Sequence, residues 1–157
     1  ISPSMDIQLA SNFERLLYDL NNQDDIKTIS AMKNIKEKGK FIIDKDKLEK
    51  INVDFLSSRM NEKEVLKTIK DVYEKHKIIL DPHTAIGYGA FDKTNLEGNN
   101  IVLATAHPCK FPDATKKSIN QKADLPKQLM FILDKKEKYD ILENNLHNIQ
   151  KYIKERI

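Results

Sequence analysis

The chain has 157 residues, 39% hydrophobic and 32% charged, and its net charge of +3 is the difference between 27 basic and 24 acidic side chains. That length suits one domain with a real core, so a single unit over residues 1–157 is expected, and the composition excludes a disordered polymer. No apolar stretch nears the ~20 residues of a membrane span, and the intermixed charges describe a solvated, Lys-rich surface that gives no support to nucleic-acid binding.

The single cysteine, Cys109, rules out an internal disulfide, and no secretory signal opens the sequence, so a cytoplasmic protein is the simplest inference. The chain starts Ile1-Ser2-Pro3-Ser4-Met5-Asp6 without an initiating methionine, which suggests a beginning partway through a longer polypeptide.

Phe13, Leu16, Leu17 and Leu20 recur at helical spacing and predict a first helix capped by Ser11 or Asn12. After a break from Asn21 to Asp25, Ile26, Ile29, Met32 and Ile35 predict a second, with Gly39 as its stop. Phe41-Ile42-Ile43 is a short strand candidate. Leu48 and Ile51 then suggest a brief helix, and Val53, Phe55 and Leu56 suit either strand or packed loop. Asn61 followed by Glu64 fits a reciprocal capping pattern ahead of an apolar stripe of Val65, Leu66, Ile69, Val72 and Tyr73.

Ile78-Ile79-Leu80 is another short apolar run, and Asp81 with Pro82 can cap and open the helix that follows. Gly98-Asn99-Asn100 turns the chain into Ile101-Val102-Leu103-Ala104, which reads as a strand covered on both faces and ended by Pro108. Pro112 opens a further helix through Lys116 and Ile119. Tyr139, Leu142, Leu146, Ile149 and Ile153 predict an amphipathic closing helix. Helices alternating with short apolar runs indicate an α/β unit, mainly helical, with a small parallel sheet.

Two expected strand-to-helix junctions carry polar groups in the same way: Asp81-Pro82-His83-Thr84, and Thr105-Ala106-His107-Pro108 followed by Lys110. Neighbouring parallel strands would open both junctions on one edge of the sheet, where ligands bind in open α/β folds. Either junction is also explained by helix capping alone. Asp81, His83 and His107 form a possible metal set, although nothing in their spacing enforces it. Cys109 as a nucleophile would need a base, and His107 is only two residues away; a small apolar filler is the simpler reading. His76 and His147 fall on helices and read as surface residues. The four glycines are scattered and build no phosphate-cradling loop.

Taken in order, Ser2-Pro3-Ser4-Met5-Asp6-Ile7, Ser11-Asn12-Phe13-Glu14-Arg15, Asp81-Pro82-His83-Thr84-Ala85, Thr105-Ala106-His107-Pro108 and Lys110-Phe111 resemble the carboxyl-terminal part of the threonine synthase family. Asp124-Leu125-Pro126 adds to the resemblance, which spans nearly the whole chain. It implies the carboxyl-terminal part of a fold-type II enzyme dependent on pyridoxal 5'-phosphate, converting O-phosphohomoserine and water to threonine and phosphate in threonine biosynthesis. There the cofactor drains electrons from the substrate Cα, allowing loss of the γ-phosphate and addition of water at Cβ.

The resemblance further implies that Thr105 sits at the pyridine nitrogen. A hydroxyl there donates a hydrogen bond without readily giving up a proton, which would leave the ring largely neutral. His83 and His107 are candidates for the substrate pocket or its walls. The Schiff-base lysine and the loop gripping the cofactor phosphate belong to upstream sequence, so the missing amino-terminal part is an implied partner. The chain alone is expected to be inactive, without tightly held cofactor, and prone to self-association through an exposed apolar face. A stand-alone α/β binding module without catalysis, and a metal-dependent hydrolase using Asp81, His83 and His107, are the competing readings.

Overall fold

A computed structural model describes residues 1–94 and 96–157. Among these residues the regular elements are helical: α1 (Ser11–Leu20), α2 (Asp25–Lys38), α3 (Lys45–Asp54), α4 (Glu62–His76), α5 (Pro82–Thr94), α6 (Pro112–Ile119) and α7 (Leu146–Lys154), with short 3-10 turns at Pro3–Met5, Pro108–Lys110 and Lys127–Ile132. Where the sequence predicts one unit over residues 1–157, contacts divide the chain into Ile1–Asp124 and Leu125–Ile157.

The expected parallel sheet is not formed, and the α/β assignment is corrected to a helical one: no β-strand occurs among the described residues. The reason lies in how backbone groups are satisfied. A helix closes its hydrogen bonds within itself, whereas a strand needs a neighbour to receive its N–H and C=O groups. Phe41–Ile43, Ile78–Leu80 and Ile101–Leu103 have the composition of buried strands but find no pairing strand among the described residues, and they run as irregular segments. Ile42 is 87% exposed and Ile101 88%.

The core of the first unit is built where α4 packs on α5 and α6. Val65, Ile69 and Ala85 are buried together, with Ile1, Met60, Leu80, Ile86 and Ile119 around them. The start of α4 follows from its sequence. Asn61 accepts the Glu64 N–H at 3.0 Å, and the Glu64 carboxylate accepts the Asn61 N–H at 2.7 Å, so two amides that a helix start leaves without partners are satisfied reciprocally. Lys77 ends the helix in the left-handed region with φ of 60°, and the segment to Asp81 follows.

The earlier helices match their predicted positions more closely than their predicted faces. Ser11 and Asn12 lie inside the first turn of α1, whose cap position is Ala10; the Asn12 side chain accepts from Arg15 instead. Asn22 and Gln23 take positive φ in the predicted break, and Asp24 caps α2 by accepting the Lys27 N–H at 3.0 Å. Gly39, at φ 70°, stops α2 as expected, a conformation that costs glycine nothing. The predicted apolar face of α2 turns inward only in part: Ile26 and Ile29 are exposed, Met32 and Ile35 are half-buried, and Thr28 is buried and accepts from the Asn21 side chain at 3.1 Å. Helix α3 covers the predicted Leu48 and Ile51, and Phe55 and Leu56 beyond it stay exposed.

The second unit has no fully buried residue among those described. Asn145 caps α7 by accepting the Asn148 N–H at 3.1 Å. The predicted closing helix therefore begins after Tyr139 and Leu142, which lie outside it.

Candidate functional site

The site begins at the amino terminus of α5. Pro82 lacks an N–H and has the φ that a first helical residue requires, so Asp81 falls at the cap. Its Oδ1 accepts the His83 N–H at 2.9 Å and the Thr84 N–H at 3.4 Å. Residues 81–85 are all buried, and Asp81 is 1% exposed.

The same carboxylate serves side chains. Asp81 Oδ2 accepts a hydrogen bond from the Thr84 hydroxyl, and Oδ1 lies 3.2 Å from His83 Nδ1. That geometry assigns a proton to His83 Nδ1 as donor. His83 Nε2 is buried without a hydrogen-bond partner, and the ring packs against Phe111 with centroids 4.9 Å apart. Burial pushes the Asp81 carboxyl up; the hydrogen bonds from the Thr84 hydroxyl, the two amides and His83 outweigh it and hold the group below the usual aspartate range.

Thr105 reaches this cluster from the far end of the Ile101–Ala104 run. Its N–H donates to Thr84 Oγ1 at 3.0 Å, and the two threonine hydroxyls are 3.2 Å apart. Thr105 Oγ1 is also 3.4 Å from Asp81 Oδ1 and 3.5 Å from Oδ2. The two polar junctions predicted to share one sheet edge thus come together without a sheet, joined by hydrogen bonds between side chains and one amide.

Thr105 itself is exposed and lines two openings. One, of about 660 Å³, is bounded by Ile78–Asp81, Thr84, Ala104–Pro108 and Ala123–Asp124. The other, of about 620 Å³, lies toward His83, Met5, Phe55, Phe91 and Val102. The two histidines consequently face different spaces: His107 lines the first opening and His83 the second. His107 has a local task, its Nδ1 accepting the Cys109 N–H at 3.3 Å to cap the 3-10 turn. It therefore engages the Cys109 amide rather than its thiol, and Cys109 is half-buried.

No group of three His, Cys, Asp or Glu residues among those described is placed to hold a metal ion, so the set of Asp81, His83 and His107 does not converge. Thr84, which the sequence marks only as a member of the first polar junction, is the side chain that joins Asp81 to Thr105. Its signal was present, as a hydroxyl three residues after a capping aspartate, but such a residue ordinarily reads as part of the cap.

In structure, the chain matches the crystal structure of pyridoxal-phosphate-bound threonine synthase from Brucella melitensis with a TM-score of 0.82 and 38% identity, over 98% of this chain and 33% of that one. In sequence, residues 84–153 match the family model for the threonine synthase carboxyl-terminal region. The chain is 35% identical over 156 residues to threonine synthase of Pseudomonas aeruginosa, and 38% identical over 169 residues to that of Saccharomyces cerevisiae. Those alignments cover 98% and 91% of this chain and 33% of each relative. Over nearly its whole length the chain is similar to the carboxyl-terminal part of these threonine synthases, and it spans about a third of the length of the relatives it matches. Among the described residues no helix is long and apolar enough to cross a membrane.

Proposed function

We propose that this chain is the carboxyl-terminal portion of a cytoplasmic threonine synthase, which converts O-phosphohomoserine and water to threonine and phosphate. The observation that carries the reading is the exposed Thr105 hydroxyl, held by a buried carboxylate and a second hydroxyl at the edge of an open groove. Such a group suits the nitrogen edge of a pyridine ring, because it is fixed in direction yet open on one side.

The residues present fit one edge of pyridoxal 5'-phosphate. Thr105 would meet the ring nitrogen, and Asp81 and Thr84 would fix Thr105. When bound, the cofactor supplies an electron-withdrawing ring that permits loss of the substrate phosphate and addition of water. This chain contributes orientation. The Thr105 N–H anchored on Thr84 holds the backbone at the groove, and the apolar Ile78–Leu80 segment forms part of the groove wall. The covalent anchor and the phosphate grip belong to sequence outside this chain, so the chain alone is expected to be inactive and to retain no cofactor.

His83 and His107 are proposed as wall residues of the substrate region rather than as one acid–base pair, since they line separate openings. Exposed Ile101 and Leu103 are proposed to meet the remainder of the enzyme, and to promote self-association when it is absent.

Replacing Thr105 by Val in the complete enzyme tests the reading. The volume is nearly kept and the hydroxyl removed, so turnover falls and the cofactor absorption changes. Unchanged turnover together with an unchanged cofactor spectrum refutes the assignment.

A further inference from the structure

The loop that carries Thr105 is held by two neighbouring residues of α5. At its start the Thr105 N–H donates to Thr84 Oγ1 at 3.0 Å. At its end Phe111, half-buried, sets its ring against His83 with centroids 4.9 Å apart and planes inclined by 57°. His83 is in turn fixed by Asp81, whose Oδ1 lies 3.2 Å from the ring nitrogen Nδ1. Successive residues of a helix point about 100° apart, so His83 and Thr84 grip the loop at two separated places. Between them the loop is tied to itself. The Cys109, Lys110 and Phe111 amides donate to His107 Nδ1, the His107 C=O and the Pro108 C=O at 3.3, 3.1 and 3.0 Å. The Phe111 C=O then accepts the Thr115 N–H at 3.2 Å, at the start of α6, where Thr115 is 0% exposed.

We propose, on the reading that Thr105 meets the pyridine nitrogen, that Phe111 is a positioning residue for the threonine synthase reaction. Its ring, seated on His83, sets where the loop presents the Thr105 hydroxyl. One hydrogen bond at Thr105 fixes a distance and leaves the loop free to swing about it. A second contact six residues further on removes that freedom. Because the loop is internally bonded, a shift at Phe111 is carried to Thr105 rather than absorbed on the way. His83 acts by contact as well. It borders the second opening, but its Nε2 is buried without a partner among the described residues, whereas a proton donor or acceptor must come within hydrogen-bond reach of the group it serves. Its ring is a seat for Phe111, held in place by a buried carboxylate.

The test uses the full-length holoenzyme, read by kcat and KM for O-phosphohomoserine and by the absorption of the bound cofactor. Phe111→Leu keeps the apolar bulk and removes the ring. It is expected to lower kcat by on the order of tenfold or more with KM little changed, within the roughly hundredfold that a misplacement of ~1 Å can cost. It should also shift the cofactor absorption as Thr105→Val does. Phe111→Tyr keeps the ring and is expected to recover most of both. His83→Asn keeps a donor for Asp81 and removes the seat. Combined with Phe111→Leu it is expected to lose no more than the worse single variant, because both changes break one contact. Should Phe111→Leu fail to fold, Phe111→Met takes its place. A lower melting temperature with native kcat and native absorption makes Phe111 a packing residue and overturns the proposal. So does a loss in His83→Asn that Phe111→Leu does not share, or losses that multiply in the double variant. Thr105→Val with native turnover and absorption overturns instead the reading on which Phe111 depends.

Discussion

The α4–α5 pair and the Ile101–Leu103 run are made of the same kinds of side chain and end in opposite states. Val65, Ile69 and Ala85 are at most 1% exposed, whereas Ile101 and Leu103 are 88% and 76% exposed. Hydrophobicity does not separate the two regions. The helices satisfy their own backbone and meet each other through one apolar face, whereas an apolar run of strand composition waits on a neighbour. Yet the exposed run ends at Thr105, which is tied to the buried region through Thr84 and Asp81. Its anchor is polar, and its apolar part is left over.

The sharpest way to probe that contrast is to excavate the packed region. Ile69→Ala removes a side chain with 0% exposure and is expected to cost about 2–5 kcal/mol, read from denaturant unfolding of this chain. A cost below about 1 kcal/mol would mean that α4 and α5 are not packed as described.

The polar anchor comes next, and pH reaches it. Asp81 has a folded-state pKa below its ordinary value, so its contribution to stability is present above the unfolded-state pKa near 3.8 and is lost as pH falls through the lower, folded value. Unfolding midpoints measured downward from pH 5 should therefore show an acid limb that Asp81→Asn flattens. An acid limb of unchanged slope in the variant would assign the effect to other carboxylates.

Asn61→Ala breaks the reciprocal cap of α4 and is expected to cost about 1 kcal/mol, since the Glu64 amide loses its partner. The smallest effect is expected in the exposed run. Leu103→Lys should leave the stability of this chain within about 0.5 kcal/mol of the original while reducing the self-association proposed for it, measured by sedimentation. A loss as large as that of Ile69→Ala would abolish the distinction between the two regions.

Much of the helical layout was legible because its signals are local. The Asn61/Glu64 box, the Gly39 stop and the Asp81-Pro82 start each involve residues within one turn, and each is present in the structure. The failures share a cause as well. Ile26 and Ile29 have helical spacing, but which face of α2 turns inward is decided by α1 and its junction, where Thr28 and Asn21 meet. The three apolar runs have strand composition, but a strand exists only by pairing with something distant.

The candidate site divides along the same line. Sequence alone determined that Asp81 would cap a helix, that Thr105 and His107 would follow an apolar run, and, through the Asp-Pro-His-Thr and Thr-Ala-His-Pro motifs, which family they resemble. Only the tertiary structure decided that Thr84 joins Asp81 to Thr105 across a sequence separation of 21, and that His83 and His107 line different openings. The physical reason is range. Capping and turn chemistry act over three or four residues, while the bond from the Thr105 N–H to Thr84 needs the fold to bring distant segments together.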